Sequence, residues 1–209
     1  MKHHSSLSPA VVKQHTVCTS MMIGYDTFAE LQKPEQWRSF FVVRDPRDLV
    51  VSRYHSARFS HREIGNIADV RKLMSAMTDE EGLVYTIEER FQELADIIKS
   101  WIKAVQEEGN QSRMRIVRFE DLTAKNNAAV WHEMLQHLDV QVPESTLESI
   151  LSFYHHSRLK PPGGKSLAKT EKYRSGKHGE WRSHFTPLLT ERFEQRFGDL
   201  VQELGYGDA

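Results

Sequence analysis

Residues 39–54 read SFFVVRDPRDLVVSRY and predict a strand, a sharp turn and the start of a helix. Residues 39–43 are aromatic and β-branched without polar alternation, which is typical of a strand covered on both faces of a parallel sheet. Asp45 is predicted to cap the helix and Pro46 to occupy its first position. Asp48 falls at the third helical position, close to a capping-box arrangement. We therefore expect a helix amino terminus at the carboxyl end of a strand.

Such a helix start favours an anion, because its free N–H groups and dipole attract phosphate or sulfate. Arg44 adds a guanidinium fork at the same place. Ser52 lies seven residues after the cap, about two turns on, so its hydroxyl could meet the same anion. The alternative is that Arg44 and Arg47 only pair with Asp45 and Asp48 on a solvated helix end, since surface ion pairs are common and weak.

Composition limits the class of protein. The chain has 209 residues, 39% apolar and 27% charged, which is ordinary for a soluble globular protein. Because the formal net charge is −1, nonspecific binding to nucleic acid or membrane is not expected, and any anion site must be local. A single cysteine, Cys18, fits a reducing compartment, and no stretch has the length of a membrane span. The sequence therefore predicts a cytoplasmic location.

A second short strand is predicted at residues 10–15, AVVKQH, which ends in His15. In an open α/β sheet, ligands bind at the carboxyl ends of the strands. The imidazole pKa of about 6.5 suits the removal of a proton from a substrate. His15 is therefore a candidate general base, and a surface histidine beside a turn is the alternative.

The rest of the chain alternates helices with one more strand. Residues 78–109 carry apolar residues at spacings of three and four, which predicts one long amphipathic helix. Residues 114–119, MRIVRF, predict a strand, and residues 188–204 predict a last amphipathic helix. We expect one domain over residues 1–209 with a helical insertion at about 55–110.

The composition changes at residues 157–186, where glycine, proline and lysine replace the apolar periodicity. A loop of this length in a compact domain is usually mobile or functional. Within it, YRSGKHGEWRSHF places Arg174 and Lys177 beside Gly176 and Gly179, so the backbone can approach an anion between two cations. The same composition also describes a disordered, solvated loop.

Three separated segments, RDPRD followed by Ser52, VRFEDL and RSGKHGEWRSHF, together resemble the sulfotransferases that use 3′-phosphoadenosine 5′-phosphosulfate (PAPS). By this resemblance, Arg44 and Ser52 hold the 3′-phosphate. Phe119 matches an aromatic position beside the adenosine, which is commonly tyrosine, so the hydroxyl of that tyrosine is missing. Lys13 and His15 resemble the Lys-x-His segment whose histidine is the catalytic base.

The late loop extends the resemblance. Arg174 and Gly176 match the family's Arg-Lys-Gly loop, which closes over the same phosphate, and Ser175 stands in place of the lysine. The three residues are thus implied to bind the nucleotide.

The resemblance implies a P-loop NTPase-like three-layer α/β/α fold with a parallel sheet. It also implies PAPS as sulfuryl donor, no metal, and a hydroxyl or amine of a small-molecule or carbohydrate as acceptor, with no nucleic-acid partner. The family begins with a strand and a glycine-rich loop carrying a lysine, whereas the first glycine here is Gly24. We therefore expect the central amino-terminal strand and phosphate loop to be missing and the chain to be truncated.

Two other functions stay open. One is a degenerate, non-catalytic module that binds 3′-phosphoadenosine. The other is a small-molecule kinase of related fold, which is disfavoured because the sequence contains no GxxxxGK[ST] stretch. The coding frame upstream of Met1 distinguishes a truncated enzyme from a degenerate module.

Overall fold

Helices surround a short parallel sheet in the computed structural model of the chain, which describes residues 16–18, 21–62, 64–107, 109–154 and 178–207. The predicted strand at residues 10–15 lies outside the described residues. The strands are β1 (Ser39–Val43) and β2 (Met114–Arg118). The α-helices are α1 (Tyr25–Ala29), α2 (Pro46–His55), α3 (Ile67–Ser75), α4 (Asp79–Tyr85), α5 (Gln92–Gln106), α6 (Phe119–Thr123), α7 (Ala128–His137), α8 (Glu144–Phe153) and α9 (Pro187–Glu203).

β1 and β2 pair in parallel, with Ser39 opposite Met114 and Val43 opposite Arg118. The carboxyl ends of both strands therefore meet at one edge of the sheet. The predicted bounds of β1 are confirmed, but the expectation of two covered faces is wrong, because Val42 is 41% exposed. β1 is therefore less enclosed than its apolar sequence suggested.

The main core holds α2 against α4, α5 and α9. Tyr54 of α2 is 1% exposed, and Phe91, Phe193 and Phe197 are each at most 1% exposed. The ring of Phe91 lies 5.0 Å from Phe197 and 6.1 Å from Phe193, measured between centroids. Burial of each such side chain stabilises the fold by about 1.5–3 kcal/mol. The helix that follows the RDPRD turn is thus packed against a buried aromatic core.

A second cluster of aromatic rings joins the sheet to α1 and α5. Phe41 of β1 stacks on Trp101 of α5 with 5.0 Å between ring centroids and 8° between the planes. Phe28 lies 5.0 Å from the same indole, and Trp101 Nε1 donates a hydrogen bond of 2.9 Å to the Ile23 carbonyl. These contacts fix the strand that leads into Arg44.

The predicted single helix over residues 78–109 is interrupted. Thr78 and Glu81 form a capping box at its start, but a π-helical turn (Thr86–Arg90) separates α4 from α5. The hydroxyl of Thr86 donates a 2.7 Å hydrogen bond to the Gly82 carbonyl. Such back-bonding disturbs helices, and a π turn inserts one residue into the ladder.

Gly82 offers a direct test of this packing. A Cβ built on Gly82 would lie 2.5 Å from Cε2 of Tyr54, whose ring is buried. We expect Gly82→Ala to lower the free energy of unfolding by about 1–3 kcal/mol, because overpacking outweighs the better helix propensity of alanine. Denaturant unfolding measures this difference.

Gly198 in α9 is the matched control, since its Cβ would meet nothing closer than Glu194 Cβ at 3.9 Å. We expect Gly198→Ala to raise the free energy of unfolding by about 0.5–1 kcal/mol. Equal effects of the two substitutions would contradict the packing of Tyr54 on α4.

Candidate functional site

The carboxyl edge of the sheet brings two of the predicted site residues together. Arg44 follows β1 and Phe119 follows β2, and the parallel register makes them neighbours. The guanidinium carbon of Arg44 lies 5.3 Å from the centre of the Phe119 ring, within the range of a cation–π contact. The Arg44 side chain remains 21% exposed. The arrangement presents a cation and an aromatic ring side by side.

The start of α2 follows the prediction for Asp45 and Pro46. The Asp45 carboxylate accepts a 2.9 Å hydrogen bond from the Arg47 backbone N–H, and Pro46 is in the first turn. The expected capping box does not form, because the Asp45 backbone N–H donates to Glu120 Oε1 at 3.1 Å instead of to Asp48. Glu120 begins the acidic pair of VRFEDL, so β2 and the helix start are linked directly.

Asp48 has a different role from the one its position suggested. Its side chain is fully buried and accepts hydrogen bonds from the backbone N–H groups of Gly179 at 2.8 Å and Trp181 at 2.9 Å. Its Oδ2 also accepts a bond of 3.2 Å from Arg44 Nη2. Asp48 therefore joins the RDPRD turn to the residues that follow the late glycine-rich motif.

The ion pairs of the alternative interpretation do form, but not on a solvated helix end. Arg47 makes two bonds to Asp45, of 3.0 and 2.8 Å, and its guanidinium lies 4.0 Å from the Trp181 ring centre. The side chains of Arg47 and Asp45 are only 9% and 8% exposed. Arg44 is the more accessible of the two arginines, so it is the better candidate for a ligand contact.

The carboxyl-terminal residues complete this edge of the sheet. The hydroxyl of Tyr206 donates a 2.5 Å hydrogen bond to Glu120 Oε2, and Arg118 Nη2 donates to the Gly205 carbonyl at 3.0 Å. Burial, and then the hydrogen bond to the Glu120 carboxylate, raise the pKa of Tyr206 well above its usual value. Tyr206 therefore stays protonated and keeps Glu120 in place against Asp45. No motif in the sequence indicated this contact.

Ser52 lies on α2 as predicted and is half-buried. The other predicted site residues fall outside the described part of the chain: Lys13, His15, Arg174, Ser175, Gly176 and Lys177. The first described residue after them, His178, has its Nε2 at 3.3 Å from Thr123 Oγ1 of α6. Residues Glu180–Ser183 then form a turn of 3₁₀-helix. The end of the predicted loop thus adjoins the helices that start at the sheet edge.

The described ranges contain no group of three or more histidine, cysteine, aspartate or glutamate side chains able to hold a metal ion. None of their helices is both long and apolar enough to cross a membrane.

A model of the sulfotransferase domain matches residues 8–205, and the chain belongs to the sulfotransferase family. This confirms the resemblance drawn from the three motifs. No curated protein matches the sequence.

Several solved structures of sulfotransferases and related enzymes share the fold of this chain. Mouse sulfotransferase SULT7A1 complexed with PAP has a TM-score of 0.55 and 17% identity, over 82% of this chain and 59% of the neighbour. Retinol dehydratase with androsterone and the inactive cofactor PAP has a TM-score of 0.52 and 19% identity, over 79% of this chain and 47% of the neighbour. The complex of retinol dehydratase with retinol and PAP has a TM-score of 0.53 and 19% identity, over 83% of this chain and 51% of the neighbour. The P-loop-like α/β fold is therefore confirmed, and the chain spans about half the length of these neighbours.

Proposed function

We propose that this protein is a PAPS-dependent sulfotransferase, which moves a sulfuryl group from PAPS to a hydroxyl or amine of a small-molecule or carbohydrate acceptor. The observation that carries the proposal is the pair of Arg44 and Phe119 at the carboxyl edge of the parallel sheet, beside the start of α2. The neighbours of the same fold contain PAP, the nucleotide that remains after transfer. We also propose that residues 1–209 form one domain.

The charges at this edge suit a phosphate on the nucleotide. The Asp48 carboxylate already accepts hydrogen bonds from two backbone N–H groups. Arg44 is therefore not the sole group that compensates its negative charge. Asp45 is paired in the same way with Arg47. A guanidinium and a helix amino terminus then favour a doubly charged 3′-phosphate. In the proposal, Arg44 and the Ser52 hydroxyl bind that phosphate.

The remaining nucleotide contacts are assigned to Phe119 and the late loop. Phe119 would lie against the adenosine, and Arg174, Ser175 and Gly176 would close over the 3′-phosphate. Support for the loop comes from His178, which lies at α6 and follows Arg174 by four residues.

His15 is the proposed general base. Its imidazole would take the proton of the acceptor hydroxyl or amine while that atom forms a bond to sulfur and the bond from sulfur to the nucleotide phosphate breaks. The products are the sulfated acceptor and PAP. Arg44, Ser52 and Arg174 would act by binding and orientation, since the 3′-phosphate is remote from the reacting sulfur.

Calorimetric titration of the chain with PAP and with adenosine 5′-monophosphate (AMP) tests the proposal. We expect PAP to bind at least tenfold more tightly, because only PAP carries the 3′-phosphate. Radiolabelled PAPS and mixed alcohol, phenol and sugar acceptors then test transfer by the full-length protein. Equal binding of the two nucleotides would contradict the proposed site, and binding without transfer would favour a non-catalytic module.

Phe119 gives a separate prediction about the adenosine. We expect Phe119→Ala to weaken AMP by about five- to a hundredfold, because a base-stacking contact is lost. PAP should lose at least the same factor, because the ring beside Arg44 is removed as well. Phe119→Tyr, the residue common in the family, serves as the control and should bind both at least as well as the natural chain. A loss confined to PAP would show that Phe119 acts through the 3′-phosphate and not the base.

A further inference from the structure

A carboxylate connects the two halves of the proposed nucleotide site. Asp48 Oδ2 accepts from Gly179 N and from Arg44 Nη2, while Oδ1 accepts from Trp181 N. Both oxygens are therefore used, and the side chain has no solvent exposure. A buried carboxylate is costly unless it is hydrogen-bonded, and both oxygens of this one accept hydrogen bonds.

The backbone that receives Asp48 has the shape of an anion-binding concavity. Gly179 has a left-handed conformation (φ 70°, ψ 18°), and the 3₁₀ turn Glu180–Ser183 follows it. Successive residues of this kind turn their N–H groups towards one point, where they bind an anion. Here Asp48 supplies the anion, and so it holds in place the first described residues after the Arg174 motif.

The same carboxylate orients Arg44. The guanidinium is held between Asp48 at 3.2 Å and the ring of Phe119 at 5.3 Å. A planar group fixed on two sides has few orientations left, and bidentate binding of a phosphate depends on orientation. Loss of either contact would keep the charge but weaken the restraint on its direction.

We propose that Asp48 is a positioning residue of the nucleotide site, which couples the orientation of Arg44 to the docking of the loop end at Gly179 and Trp181. The inference rests on the proposed function. Asp48 does not touch the nucleotide in this proposal. It acts through the groups that do.

Asp48→Asn is the sharpest variant, since it keeps the size of the side chain. An amide has one acceptor and one donor end, so whichever way it turns, its NH₂ group faces a backbone N–H of Gly179 or Trp181. We expect the dissociation constant for PAP to rise about ten- to a hundredfold and that for AMP to change little. The effects of Asp48→Asn and Arg44→Ala on PAP binding should be strongly non-additive. The first variant disturbs the orientation of the Arg44 guanidinium and the second removes it, so both act on the same contact.

Two further variants separate positioning from folding. Gly179→Ala leaves the buried carboxylate unchanged, but it strains the φ 70° backbone and brings a Cβ to 2.6 Å from Arg182 Nη1. It should therefore also raise the dissociation constant for PAP more than that for AMP. Glu81→Gln is the matched control, because it removes a carboxylate that accepts from Thr78 N at the start of α4. We expect Glu81→Gln to leave the ratio of PAP to AMP affinity unchanged.

The outcomes distinguish the two proposals. If the natural chain does not prefer PAP over AMP, the proposed function fails. If the natural chain prefers PAP and both Asp48→Asn and Gly179→Ala keep that ratio, only the role of Asp48 is overturned. Tighter PAP binding by Asp48→Asn would also overturn it, because Asp48 would then compete with the phosphate for Arg44.

Discussion

Arg44→Ala is expected to weaken the binding of PAP by about ten- to a hundredfold and the binding of AMP by less than threefold. The difference follows from charge, since a charged hydrogen bond contributes about 1.5–3 kcal/mol and only PAP has a phosphate at the 3′ position. Isothermal titration calorimetry with both nucleotides measures the two constants on the same preparation.

The substitution also removes a partner of Asp48, so some loss of stability is expected. Asp48 keeps its bonds from Gly179 and Trp181, and the cost should therefore stay near 1–3 kcal/mol. The titrations are best done well below the melting temperature of the variant. If both nucleotides lose affinity equally, Arg44 supports the fold and does not bind the 3′-phosphate.

Two variants provide controls for Arg44. Arg44→Lys keeps the charge but loses the planar fork, so an intermediate loss of PAP affinity is expected. Arg192→Ala removes an arginine that is 51% exposed and pairs with Glu88, away from the sheet edge, so it should change neither constant. A series in which lysine binds as well as arginine would mean that charge alone is recognised.

His15→Ala is expected to have the largest effect on catalysis. In the full-length protein, turnover should fall about a hundred- to ten-thousandfold, the range for removal of a well-placed general base. PAP affinity should remain nearly unchanged, because the proposed base faces the acceptor. Steady-state transfer assays and PAP titrations on one preparation separate the two quantities.

The pH dependence of turnover adds a second readout. A base must be deprotonated to act, so the natural enzyme should lose activity as the pH falls and the imidazole gains a proton, and His15→Ala should lack that acidic limb. His132→Ala, which removes an exposed histidine on α7, is the control. Normal turnover with a large loss of PAP affinity would assign His15 to nucleotide binding.

The sequence predicted those features that depend on neighbours in the chain. The cap at Asp45, the strand before Arg44 and the apolar stripe of α9 follow from local periodicity and turn chemistry. The meeting of Arg44 with Phe119 could also be anticipated, because the carboxyl ends of parallel strands share an edge.

Contacts between segments that are distant in the sequence could not be predicted in the same way. Asp48 looked like a capping residue, yet its partners Gly179 and Trp181 lie 131 and 133 residues away. Nothing near Glu120 indicated that it binds both Asp45 N and Tyr206. In each case a carboxylate at a helix start had several possible donors, and only the packing of distant segments decided which donors it received.

A crystal structure of the chain with PAP tests the central proposal most directly. We expect the 3′-phosphate oxygens within about 3.2 Å of the Arg44 guanidinium and the Ser52 hydroxyl, with Arg174 on the same phosphate. A structure in which PAP binds elsewhere, or in which Arg44, Ser52 and Arg174 share no cavity, would contradict it.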